Sequence, residues 1–99
     1  MKVTTKKEVM ELLGNCQSEL KQFGVNRLGL FGSFVRDTAR RESDVDVLVV
    51  FESSQKTFDN FMNLSFFLED LLERKVDLVT VESLSSYIGE NILREIEYV

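Results

Sequence analysis

Asp44 and Asp46 flank Val45 at the start of the apolar run Val45 to Phe51 (VDVLVVF). In a strand, side chains two residues apart leave the same face, so the two carboxylates emerge together, followed by Leu48 and Val50. Two like charges at the rim of an apolar strand repel each other and lose hydration, a cost that a cation removes. Oxygen-only donors suit a hard ion such as Mg²⁺. The plainer alternative is a polar strand end with two solvated carboxylates. Asp77 repeats the theme near the start of a second apolar run, Val76 to Val81 (VDLVTV). If the strands are neighbours, Asp77 can join Asp44 and Asp46 around one or two ions, with the metal–metal spacing of about 3.5–4 Å found in phosphoryl-transfer sites. Otherwise it is an exposed edge residue.

Gly32-Ser33 follows a short apolar run and is predicted to open a short helix. Glycine lets a ligand approach the backbone closely, and a helix N-terminus turns free N–H groups toward an anion. The pair thus makes a small phosphate cradle or, without a ligand, a plain helix cap; no GxxxxGK[ST] loop is present. Arg36, Arg40 and Arg41 form a basic cluster beside it, suited to phosphates or an acidic partner, or else paired with Asp37 and Glu42 on a solvated face. Arg36, three residues beyond Ser33, is the stronger phosphate candidate.

Composition narrows the chemistry. The 99 residues contain no His and a single Cys, Cys16. Histidine bases, Ser-His-Asp and Cys-His arrangements, an internal disulfide and multi-cysteine metal sites are excluded. A net charge of −5 makes free nucleic acid or an anionic membrane a poor partner. No apolar run approaches the roughly 20 residues of a membrane helix. One unpaired Cys and no signal-peptide pattern fit a reducing cytoplasm. The length fits one domain over residues 1–99.

The elements that must position these residues follow from periodicity. Residues 5–23 are predicted to form one helix, with a Thr5–Glu8 capping box, an apolar stripe of Val9, Leu12, Leu13, Cys16, Leu20 and Phe23, and a stop at Gly24. A short strand is expected over 27–31, a weak basic helix over 34–41, strands over 45–51 and 76–81, a long helix over 57–74, and a final helix over about 84–98. In the 57–74 helix, Phe58 and Phe61 are the clearest core aromatics, with Phe66 and Phe67 flanking. Ile88, Ile92 and Ile96 form the stripe of the last helix, which runs so close to the chain end that a few more residues or a partner would cover its last turn. Glu69, Glu73 and Arg74 read as a solvated face. The order predicts a small α/β (α+β) domain, a mixed sheet of three to four strands with helices mainly on one face.

The segment FGSFVRDTARRESDVDVLVVFE, with Asp77 in a later strand, resembles the signature of the DNA polymerase β-like nucleotidyltransferases, and within them the minimal nucleotidyltransferase (MNT) group. The resemblance implies a nucleotidyltransferase core. It implies that Gly32 and Ser33, with Arg36 nearby, hold the phosphates of ATP, and that Asp44, Asp46 and Asp77 bind two Mg²⁺ ions. Asp77 would also help deprotonate the attacking hydroxyl. It further implies an antitoxin partnered with a HEPN-domain toxin, which active members silence by transferring AMP to a tyrosine. Many relatives read GSxARG; here Val35 replaces Ala and Asp37 replaces Gly, adding a negative charge near the triphosphate unless Asp37 caps or pairs with Arg40 or Arg41. The expected activity is transfer of AMP from ATP to a hydroxyl of a partner protein. The alternative is an antitoxin that neutralises its toxin by binding alone. An aminoglycoside-type enzyme fits less well, since such enzymes usually carry an extra helical domain. Tyr87 and Tyr98 could accept a nucleotidyl group in self-modification, although surface or packing roles are simpler.

Overall fold

The computed structural model describes residues 2–84 and 86–99, the side chains of residues 86–88 excepted. Helix α1 (Lys6–Gly14) opens with the expected capping box: the Glu8 N–H donates to Thr5 Oγ1 at 3.2 Å, and the Thr5 N–H donates to Glu8 Oε1 at 3.1 Å. The expected single helix over 5–23 is broken. Gly14 and Asn15 are weak helix formers, Cys16 leaves helical geometry, and α2 (Gln17–Gln22) begins afresh. The break tucks Cys16 into the core, where its thiol donates to the Leu13 carbonyl and burial pushes its pKa up. Gly24, at φ +81°, turns the chain out of α2 into strand β1 (Val25–Phe31).

Strand β2 (Val45–Phe51) pairs antiparallel with β1 and parallel with β3 (Val76–Thr80). Helix α3 (Phe58–Leu72), capped by Thr57, makes the β2-to-β3 crossover that a parallel pair requires. Helix α4 (Ser86–Glu95) is shorter than the expected final helix, because the last residues form strand β4 (Glu97–Tyr98) on the free edge of β1. There the Val99 N–H donates to the Leu28 carbonyl at 2.8 Å, and the Arg27 guanidinium lies 3.6 Å from the centre of the Tyr98 ring. The sheet order is β3-β2-β1-β4, the predicted mixed sheet at its upper strand number.

Alternation divides the sheet into two faces. Leu28 and Leu30 of β1, Val45, Val47 and Val49 of β2, and Val76 and Leu78 of β3 pack against Val9, Leu13 and Leu20 from α1 and α2, and against Leu64, Leu68 and Leu72 of α3. Asp46, Leu48 and Asp77 belong to the opposite face. Phe61, Phe67 and Leu71 border the core, and Phe67 meets Phe23 with ring centres 5.2 Å apart. Phe58 contradicts its expected core role: it is 77% exposed at the first turn of α3, ahead of the inward stripe. Phe66 is 60% exposed, since it lies about 200° round the helix from Leu64. The expected roles of the Tyr87 and Ile88 side chains lie outside the described residues. Among the described residues, no helix is long and apolar enough to cross a membrane.

Candidate active site

Asp46 of β2 is the register partner of Asp77 on β3 and of Phe31 on β1. Register partners share a face, and neighbouring strands lie about 4.8 Å apart. The two carboxylates therefore stand side by side, with Gly32 immediately beyond the end of β1. Asp44 sits one residue before β2 and is exposed, as is Asp77; Asp46 is half-buried. Burial pushes the Asp46 pKa up to about 6, reinforced by the charges of Asp77 and Asp44, opposed by Arg36 and raised further by Glu95. The strand pairing thus creates the electrostatic cost expected from a carboxylate cluster without a counter-ion.

Gly32 has φ +75°, and a Cβ at this position would collide with the Asp46 carboxylate. The glycine is required twice, by the backbone conformation and by the close approach of Asp46. Beyond it the expected helix over 34–41 is absent. The chain makes tight turns in which Arg36 N–H donates to the Gly32 carbonyl and Thr38 N–H to the Ser33 carbonyl. The cradle is therefore a turn, and no helix dipole contributes. Asp37, the departure from GSxARG, has φ +57°, a conformation natural to the glycine it replaces. Its carboxylate accepts the Lys6 N–H at 3.1 Å, so it caps the start of α1.

Two residues that matter here carried no local signal. Arg74, expected on a solvated face, is 9% exposed. Its Nε donates to the Val3 carbonyl at 2.7 Å, and its Nη1 donates to the carbonyls of Arg40, Arg41 and Ser43 at 2.9–3.1 Å. Its guanidinium also lies 5.1 Å from the centre of the buried Phe34 ring. One side chain thereby ties the loop leading to Asp44 to the turn that follows Gly32. Glu69 also departs from the solvated-face reading, accepting the Val76 N–H at 3.0 Å and so securing the start of β3. The second unforeseen residue is Glu95, at the end of α4: its Oε2 accepts the Gly32 N–H at 2.8 Å, and both its oxygens accept from Arg36 Nη1, at 2.8 and 3.0 Å.

The donor set of Asp44, Asp46 and Asp77 is all carboxylate oxygen, which fits Mg²⁺. Asp46 carries the electrostatic strain such an ion would relieve. In this conformation, however, no three Asp, Glu or Cys side chains among the described residues are gathered as a ready coordination shell. Asp44 and Asp77 are both exposed, and their charges are felt at the half-buried Asp46. A recess lined in part by Lys2, Arg41 and Lys75 opens beside Asp44.

Comparison with known proteins agrees with this architecture. Residues 9–99 match the nucleotidyltransferase domain family. The chain is 43% identical to the protein adenylyltransferase MntA of Thermococcus cleftensis over 100 residues, the full length of both chains. It superimposes on a solved candidate minimal nucleotidyltransferase with a TM-score of 0.82, 32% identity and 94% of each chain covered. A complex of a tri-AMPylated Shewanella oneidensis HEPN toxin with an MNT antitoxin shares the fold at 19% identity, with a TM-score of 0.59 over 94% of this chain and 66% of the other. The chain belongs to the nucleotidyltransferase domain family. Within that family it is a minimal nucleotidyltransferase.

Proposed function

We propose that this nucleotidyltransferase moves AMP from ATP to a hydroxyl, by preference a tyrosine, of a HEPN-domain toxin, and that it acts as that toxin's antitoxin in the cytoplasm. The observation that carries the reading is the in-register placement of Asp46 beside Asp77, next to Gly32. The relatives support it: a full-length relative is named a protein adenylyltransferase, and one structure of the same fold holds an AMPylated HEPN toxin with an MNT antitoxin.

In this reading the Gly32 N–H, Ser33 and Arg36 bind the β- and γ-phosphates. Asp44, Asp46 and Asp77 would hold two Mg²⁺ ions, which when bound neutralise charge on the attacking and leaving oxygens. Asp77, exposed beside Asp46 near the start of β3, accepts the proton of the incoming hydroxyl. The hydroxyl oxygen bonds to the α-phosphorus, the bond to the bridging α–β oxygen breaks, and pyrophosphate leaves. Positioning and electrostatics supply the catalysis, so the absence of His is no obstacle. The acceptor in this reading is a folded protein that docks on the domain, and the net charge of −5 disfavours free nucleic acid.

The competing reading, neutralisation by binding alone, draws on two observations: the three carboxylates are not gathered as a ready shell, and Arg36 is already engaged by Glu95. One experiment separates the two. The chain is incubated with the product of the neighbouring gene, Mg²⁺, and ATP labelled at the α- or the γ-phosphate. α-Label on the partner is the expected result. γ-Label alone identifies a kinase, and a tight unlabelled complex identifies a binding antitoxin.

A further inference from the structure

The end of α4 is held firmly. Ile96 fills the space left by Gly29, where an added Cβ would collide with it, and β4 pairs Glu97 and Tyr98 with β1. From that base the Glu95 side chain extends to the turn after β1. Its carboxylate takes the Gly32 N–H and the Arg36 guanidinium together. A backbone N–H and a guanidinium converging on one anion are the donors that suit a phosphate oxygen as well as a carboxylate. The Asp46 carboxylate also lies against Gly32, so Glu95 holds this place against like-charge repulsion. Both partners also have access to water, with the Arg36 side chain 55% and the Glu95 side chain 28% exposed. The carboxylate can therefore swing outward by side-chain rotation while Ile96 and β4 stay in place.

We infer that Glu95 is an internal stand-in for the nucleotide's phosphates: it occupies Gly32 and Arg36 when no nucleotide is bound, yields them to the triphosphate, and retakes them as pyrophosphate leaves. Glu95 thus sets nucleotide affinity and favours product release. The inference rests on the proposed role of Gly32 and Arg36 in phosphate binding. It differs from a role in which Glu95 merely orients Arg36, because the two make opposite predictions when Glu95 is removed.

The test is calorimetric titration of the full chain and its Glu95→Gln, Glu95→Ala and Glu97→Gln variants with Mg²⁺-ATP, Mg²⁺-pyrophosphate and adenosine. Thermal melts check that each variant folds. Glu97→Gln removes the same charge two residues further along, from a β4 residue paired with Lys6. The expected result is roughly tenfold tighter binding of both ATP and pyrophosphate in each Glu95 variant, the scale of one charge-assisted hydrogen bond. Adenosine binding in all variants, and ATP binding by Glu97→Gln, stay within about twofold. Unchanged or weaker ATP binding in folded Glu95 variants, with the wild type binding normally, overturns the inference and leaves the nucleotide site standing. Binding by the Glu95 variants but not by the wild type supports it in its strongest form. Failure of every form to bind ATP or pyrophosphate removes both the inference and the phosphate-binding role beneath it.

Discussion

Asp46 and Asp77 are register partners on parallel strands, so two carboxylates 31 positions apart in the chain stand side by side on the sheet face opposite the hydrophobic core. Among the described residues, the Arg36 charge opposes the rise in the Asp46 pKa without cancelling it, and that pKa reaches about 6. Strand pairing that places like charges together costs stability. Such an arrangement is coherent if the site works with a cation.

Replacing Asp46 by Asn should therefore separate activity from stability. AMP transfer should fall by roughly a hundredfold or more, since an amide is a poor ligand for a hard ion. The metal-free protein should melt higher than the wild type at pH 7.5, because a half-buried charge beside Asp77 and Asp44 has been removed. Parallel transfer assays and thermal melts check both effects. Full transfer activity in the variant would remove Asp46 from the site.

The same group predicts the pH dependence. The Asp46 pKa is raised from 3.8 to about 6 on folding, so the folded state binds more protons than the unfolded state between those values. Stability of the metal-free protein should decline as pH rises from about 4 to about 6 through this group, with the penalty fully present above that window. Asp46→Asn should flatten this contribution. Mg²⁺ affinity should weaken below about pH 6, because a proton on Asp46 competes with the ion. Denaturant unfolding at a series of pH values, with and without Mg²⁺, gives both curves.

Gly32→Ala should damage both fold and site. The residue sits at φ +75°, where an L side chain costs about 1–2 kcal/mol, and the new methyl would press on the Asp46 carboxylate. The expected outcome is a lower melting temperature together with loss of nucleotide binding, read by thermal denaturation and calorimetry.

Arg74→Met keeps much of the bulk but leaves the carbonyls of Val3, Arg40, Arg41 and Ser43 without their donor. Unsatisfied buried polar groups cost about 1–3 kcal/mol each, less where water can reach them. A total loss of at least about 2 kcal/mol is expected by urea unfolding. Arg74→Lys should recover only part of it, since one ammonium cannot reproduce the fork of the guanidinium.

Asp37 tests how the departure from GSxARG is accommodated. Asp37→Gly removes the cap on Lys6 but relieves the left-handed backbone, so the two effects oppose and the stability change should stay within about 1 kcal/mol. Asp37→Val loses the cap and puts a β-branched residue at φ +57°, and should cost about 2 kcal/mol or more. Chemical denaturation of the two variants ranks them.

Much of this was readable from the chain alone. The capping box at Thr5, the β-branched run of β2 and the inward stripe of α3 are local patterns, and each formed where its residues stand. The carboxylates of the candidate site and Gly32 could be picked out for the same reason: charged residues in apolar strands and a glycine at a strand end are conspicuous in one dimension. Short-range rules failed where distant segments compete for the chain. The end of the last helix gave way to β4 because β1 had an open edge and Gly29 left room for Ile96. The basic stretch after Ser33 became turns stabilised by Arg74, itself more than thirty residues further along. Glu95 reached the cradle by the same kind of long-range accident of packing. Residue type and spacing settle which groups are capable of chemistry and where regular elements begin. Which groups touch depends on how faces and edges bury one another, and that is decided by contacts between parts of the chain that carry no mark of each other.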